Sequence, residues 1–221
     1  MFTISLVSIT FSELMVQLTE HTDDQVLWKN IKAGGEPYFN LLFKRYYSDL
    51  YYYGIKIIPI PDFVKECIQE VFIRIWETRK SLGDVKNIKS YLIVSIRRMI
   101  LSKKKDVKEK QAIEIGQIEN YPFLFIENEF VKQEEISDEV RHVLLSAINS
   151  LTIKQRELVM LFFYHGLSYT EISQVIGVNL QSVRNLMHRT LTKLRKSVGK
   201  KITKPMSNLV FFLFSSAIVK K

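Results

Sequence analysis

Apolar residues in this chain recur every three to four positions, and the stretches they define are cut at intervals by glycine and proline. A helix repeats every 3.6 residues and a strand every two, so this spacing commits the chain to helices that pack through one face. No segment alternates with period two between hairpin turns, so a β domain is not expected. Thr22 with Gln25 has the form of a capping box, and Leu27, Trp28 and Ile31 follow at helical spacing until Gly34-Gly35 ends the first helix. Phe39, Leu42, Phe43, Tyr46, Tyr47, Leu50 and Tyr51 make the next stripe, which runs to the Pro59-Ile60-Pro61 breaker. Asp62 can cap a third helix with Phe63, Cys67, Val71, Phe72, Ile75 and Trp76 facing a core. Asn87 can cap a fourth, carrying Tyr91, Leu92, Ile96 and Met99, after a loop through Ser81 to Asp84.

Charge divides the remainder. The 221 residues carry a net +9, a balance that favours a polyanion among the partners. From Glu109 to Glu139, however, nine acids face only Lys110 and Lys132, a local net of −7. After Glu171 no acid occurs, while ten bases follow. A second basic cluster, from Arg97 to Lys110, precedes the acidic stretch. The expected fold is therefore all-α: two small helical domains, 22–105 and 138–198, joined by a flexible acidic linker over 106–137 with an apolar anchor at Tyr121–Ile126. A segment 1–21 precedes them and a basic, apolar tail 199–221 follows.

Several function classes drop out on residue grounds. One cysteine, Cys67, and four scattered histidines give neither a disulfide nor a zinc-ligand spacing. With no carboxylate cluster, Gly-rich phosphate loop or nucleophile arrangement, an enzyme is not expected, and no metal or cofactor is implied. The apolar start lacks a basic leader and a small-residue cleavage site, so a secretory signal is not expected; Met15 is an alternative start to Met1. The apolar tail from Met206 to Val219 would reach roughly 21 Å as a helix, short of the ~30 Å hydrocarbon core, so no transmembrane span is expected and the compartment is taken as cytoplasmic.

The most specific pattern runs from Leu151 to Arg195. Thr152 with Gln155 can start a helix buried through Leu158, Val159, Leu161 and Phe162, and Gly166 ends it. Ser168-x-x-Glu171 opens a short helix that Gly177 ends, and Asn179 then caps a longer basic helix buried through Val183, Leu186, Leu191 and Leu194. A short helix, a glycine turn and a basic helix form a helix-turn-helix, whose second helix enters the DNA major groove by its N-terminal residues. Gln181, Ser182, Arg184, Asn185 and His188 fall there, with Arg189 beside them. Arginine can pair with guanine, and asparagine or glutamine with adenine, by two hydrogen bonds each.

These residues carry a resemblance to the extracytoplasmic-function (ECF) group of the sigma-70 family, which recruits bacterial RNA polymerase to promoters. Leu151-Thr-Ile-Lys-Gln-Arg-Glu157, Gly166-Leu-Ser-Tyr-Thr-Glu-Ile172 and Ser182-Val-Arg-Asn-Leu-Met-His-Arg189 are similar to sigma region 4. Glu66-Cys-Ile-Gln-Glu-Val-Phe-Ile-Arg-Ile-Trp76 and Tyr91-Leu-Ile-Val-Ser-Ile-Arg97 are similar to region 2. The resemblance implies that the helix carrying Gln181, Ser182, Arg184, Asn185 and His188 reads the minus-thirty-five element, with Arg189 better placed to meet its phosphates. It implies that Lys80, Lys86, Arg97 and Arg98 hold the minus-ten strand, and that Glu66, Gln69 and Glu70 grip the polymerase. The chain departs from the family pattern with Glu66 for Asp, Arg98 for Asn and Ser102 for Asp. The implied partners are core RNA polymerase and promoter DNA, with an anti-sigma factor as a further candidate. A stand-alone helix-turn-helix repressor or activator is the alternative reading.

Overall fold

The computed structural model describes residues 22–110 and 138–199, in which every regular element is helical and no strand occurs. Helix α1 spans Asp24–Lys32 and buries Leu27, Trp28 and Ile31. Its cap is Asp23, whose carboxylate accepts from the Gln25 amide at 2.6 Å; the expected cap at Thr22 lies one residue too early. Aspartate at this position also sets a negative charge against the positive end of the helix dipole. Helix α2, Glu36–Ile57, buries Leu42, Tyr46, Leu50 and Tyr53. Helix α3, Pro61–Thr78, starts at Pro61, with its first turn preset by the ring, and Asp62 pairs with Lys65 at 3.1 Å instead of capping. A 3₁₀ turn at Arg79–Ser81 leads through a loop to α4, Ile88–Lys110, capped as expected by Asn87, which accepts from the Ser90 amide at 2.9 Å. Helix α4 thus continues five residues past the boundary expected at 105.

Gly54 sets the spacing of this bundle. A Cβ there would stand 2.5 Å from Cγ1 of Val64, so α2 and α3 approach at a point where only hydrogen fits. Cys67 is buried beneath the same helices, and burial pushes its thiol up to about 11, which makes it a core residue and no nucleophile at neutral pH.

The second unit comprises α5, Asp138–Asn149, α6, Ile153–Val159, α7, Tyr169–Ile176, and α8, Leu180–Gly199. Both expected capping boxes are present: Thr152 with Gln155 opens α6, and Ser168 with Glu171 opens α7. Helix α6 runs into a single π-helical turn at Met160–Tyr164, and the left-handed Gly166 follows it. Gly177 ends α7 at φ +76°, a conformation glycine adopts without the steric cost a side chain would add. Leu158 to Leu161, Ile172, Val175, Val183, Met187, Leu191 and Leu194 close the core of this unit.

The two units pack directly on one another, α7 lying against α4 and the α6 turn against α2. Residues 1–21, the anchor Tyr121–Ile126 and the tail Met206–Val219 lie outside the described residues. Among the described residues no helix is long and apolar enough to cross a membrane.

Candidate nucleic-acid interface

Helix α8 is pinned at its start and along one side, which fixes what its other side presents. Asn179 accepts from the Ser182 amide at 2.7 Å, and Val183, Met187, Thr190, Leu191, Leu194 and Val198 turn inward. Gln181, Ser182, Arg184, Asn185, His188 and Arg189 all remain exposed, so the structure brings the expected upstream contacts together on one face. Gln181 donates to the side-chain carbonyl of Asn185 at 3.0 Å, which leaves the Asn185 amide hydrogens pointing outward as donors. Farther along, His188, Arg189, Thr192, Lys193, Lys196 and Ser197 line an open groove of about 420 Å³. Lys193 also donates to the Ser150 carbonyl at 2.6 Å, tying α8 to the end of α5.

The first unit presents a second basic surface, built from α3, α4 and the loop between them. Val71, Arg74 and Ile75 of α3 and Tyr91, Ser95 and Arg98 of α4 border a cleft of about 400 Å³. Its walls are apolar at the base and carry two exposed guanidinium groups at the rim, Arg74 and Arg98. An aromatic ring beside cations is the combination that holds an unstacked base and its phosphate. Arg74, Tyr91 and Ser95 escape a sequence reading that looks for basic runs, because they lie on two helices and only the packing assembles them.

Lys80 and Lys86 stand exposed at either end of the 79–87 connection. Helix α1 holds that connection through its backbone. Gln25 donates to the carbonyls of Val85 and Lys86 at 2.9 and 3.0 Å, and the Trp28 indole donates to the Gly83 carbonyl at 3.1 Å. Arg79 stacks on Trp76 with 4.2 Å from guanidinium to ring centre.

Arg97 is placed differently from Arg98. Its Nε donates to the Glu157 carboxylate of α6 at 2.9 Å, on the side of α4 that meets the second unit. Burial opposes its charge, but Glu157 and Tyr53 outweigh that cost and hold the guanidinium pKa above its ordinary value. The Tyr53 hydroxyl donates to the same carboxylate at 2.8 Å; burial and the negative charge beside it keep that phenol protonated well above its usual range.

Glu66, Gln69 and Glu70 lie on the outer side of α3, opposite the buried Cys67, Ile68 and Val71. Lys103 of α4 reaches both carboxylates, Glu66 at 3.2 Å and Glu70 in closer contact. Ile73 stands 54% exposed one turn beyond Gln69, an apolar neighbour to this polar set. Among the described residues no group of three or more His, Cys, Asp or Glu side chains gathers as metal ligands do.

Comparison with known proteins matches both units to one family. Residues 42–109 match the family described as Sigma-70 region 2, and residues 141–194 match Sigma-70, region 4. The chain is 28% identical over 199 residues to the ECF RNA polymerase sigma-E factor of Escherichia coli strain K12, covering 84% of this chain and 97% of that protein. It is 24% identical over 152 residues to the ECF RNA polymerase sigma factor SigK of Mycolicibacterium vanbaalenii, covering 66% of this chain and 76% of that protein. The solved structure of CnrH in complex with the cytosolic domain of CnrY shares the fold, with a TM-score of 0.50 and 17% identity over 81% of this chain and 99% of that one.

Proposed function

Since the chain belongs to the ECF group of the sigma-70 family, we propose that it binds core RNA polymerase and directs it to promoters, with each half contributing one element of recognition. The observation that carries this reading is the pairing of a bare helix-turn-helix face on α8 with a basic, aromatic cleft between α3 and α4. Duplex is read in the major groove by the first, and a separated strand suits the second. A stand-alone repressor would use the first surface and has no need of the second, so the family match over 42–109 favours the sigma reading.

In this reading Arg184 and Asn185 read base edges of the minus-thirty-five element, with Gln181, Ser182 and His188 beside them, while Arg189 meets phosphate. Arg98, Lys80 and Lys86 meet the minus-ten strand, and Arg74 and Tyr91 join them at the cleft. Glu66, Gln69 and Glu70 grip the polymerase, with Ile73 adding an apolar contact at the same patch. Units 22–105 and 138–198 act as the two working domains, and the acidic stretch from 106 joins them. The polymerase supplies the chemistry, and the protein acts in the cytoplasm. An anti-sigma factor is a further partner in this reading; CnrH, which shares the fold, was solved in complex with the cytosolic domain of CnrY.

Reconstituted transcription on genomic fragments tests the assignment. Promoter-directed transcripts should require both this protein and core polymerase. Tight operator binding by the protein alone, with no transcript, would establish the repressor reading instead.

A further inference from the structure

Helix α2 leaves one flank incompletely covered. Phe39, Phe43, Tyr47 and Tyr51 follow one another at four-residue steps, and all four stay half-buried beside the buried Leu42, Tyr46 and Leu50. Phe43 meets Tyr47 at 5.2 Å between ring centres, and Tyr47 stacks on Tyr51 at 6.2 Å with planes 6° apart. From α3, Phe72 touches Phe39 and Phe43 at 5.8 and 4.9 Å, and Trp76 touches Phe39 at 5.0 Å. Lys65 and Gln69 continue that flank of α3 at steps of three and four residues. The two helices thus border a shallow aromatic groove, about 18 Å long from Phe39 to Tyr51 at 1.5 Å per residue. The exposed Lys44 stands on one bank and the exposed Lys65 on the other. A contiguous apolar strip of this kind marks a docking place.

The chain itself supplies an occupant. Thr10-Phe-Ser-Glu13 has the form of a capping box, with Ile9 and Leu14 spaced as a hydrophobic staple. Phe11, Leu14, Met15 and Leu18 then recur at i, i+3, i+4 and i+7, the anchor spacing of a helix that lies in a groove. From Phe11 to Glu20 such a helix would measure about 15 Å, close to the length of the groove. The segment carries Glu13 and Glu20 and no base, opposite in sign to the two lysines on the banks. Its point of entry is held on α2 itself, where the Thr22 carbonyl accepts from Arg45 at 2.8 Å on the far flank. Residues 19–22 reach about 13 Å when extended, roughly one helix diameter, which carries the chain past the small, exposed Ser48 to the groove. The apolar tail Met206–Val219 suits the groove less, because Lys204 and Lys220 bracket it and would be repelled by Lys44 and Lys65.

We propose that residues 11–20 seat in the groove between α2 and α3 as an amphipathic helix, with Phe11, Leu14, Met15 and Leu18 against the aromatic strip. The seat borders the exposed Gln69 and Ile73, so this segment and the polymerase compete for one edge of α3. The seat stands on the groove and the segment alone; the competition rests on the sigma reading.

The test uses the full-length chain. With the photocrosslinker p-benzoylphenylalanine carried at position 14, irradiation should join the segment to residues 39–51 or 65–76 of the same chain. Trp28 is 2% exposed while Trp76 is half-buried at the groove, so acrylamide quenching of tryptophan emission reads Trp76. Leu14→Ser combined with Met15→Ser removes two apolar anchors and should raise that quenching at least about twofold. The same double variant should bind core polymerase at least about threefold more tightly, since the free edge of α3 is then populated more of the time. Crosslinks to the tail, to another surface or to a second copy would overturn the seat, and so would unchanged quenching. Crosslinks in the groove with unchanged polymerase affinity would overturn the competition. Failure of wild type and variant alike to bind polymerase would strike the sigma reading instead, with the crosslinks and the quenching still deciding the seat.

Discussion

The exposed basic face of α8 and the basic face of α4 look alike as strings of letters, yet they stand in opposite circumstances. On α8 the six residues expected to read DNA are all exposed, and the chain holds no acid after Glu171 to neutralise them. Among the described cations of α4, three are engaged by the protein itself: Lys89 by Asp49 at 2.9 Å, Arg97 by Glu157, and Lys103 by Glu66 and Glu70. Arg98 is the member of that series that faces the open cleft. The presence of a base in the sequence and its availability to a polyanion are separate properties, and only the packing distinguishes them.

The sharpest way to break this contrast is at α8. Arg184→Ala or Asn185→Ala should cost roughly 1–3 kcal/mol of discrimination between matched and mismatched upstream elements. Competition binding of the polymerase complex measures it; an equal loss on every sequence would reassign these side chains to phosphate.

The next effect concerns the packed face and follows from His165. Its imidazole is 4% exposed, neither ring nitrogen has a hydrogen-bond partner, and its pKa is pushed down to about 4. Burial is the main cause, Lys89 adds to it, and Asp49 opposes it; Tyr53 and Tyr164 complete the surroundings. Released into water, the ring would return towards about 6.5. A depressed histidine stabilises the packed state fully above that value, and the contribution is lost as pH falls from about 6.5 towards 4. Lowering pH from 7.5 to 5.5 should therefore shift the balance towards parted units about tenfold. Scattering at the two pH values reads this, and His165→Phe should flatten the response.

A smaller effect separates neighbours on α4. Arg98→Ala should weaken single-strand binding by about 1 kcal/mol and reduce its salt dependence by about one released counterion. Smallest is Lys103→Ala, whose exposed ion pairs contribute about 0.2–1 kcal/mol to stability. Thermal unfolding should barely move, while polymerase affinity should change as Glu66 and Glu70 are freed.

What could be read in advance follows the range of the interaction concerned. The caps at Asn87, Thr152, Ser168 and Asn179, and the turn at Gly177, depend on residues a few positions apart, and each forms as expected. Where two residues compete for one cap, adjacency misleads: Asp23 displaces Thr22, and Pro61 starts the helix before Asp62 can cap it. The exposed candidate residues on α8 are legible because burial of one helical face dictates the other. Arg97 was not separable from Arg98, because its partner lies 60 residues away in the other unit. The cleft that Arg74 and Tyr91 border is hidden from the sequence for the same reason, since it exists only once α3 and α4 are side by side.

The clasp that α1 places on the 79–87 connection grips carbonyl oxygens of Gly83, Val85 and Lys86. Every amino acid supplies that oxygen. In the sigma reading, where this connection meets the minus-ten strand, substitutions along it change the side chains offered to DNA while the bonds that hold its path remain. Side chains on this path can thus be exchanged without removing the backbone acceptors that Gln25 and Trp28 hold.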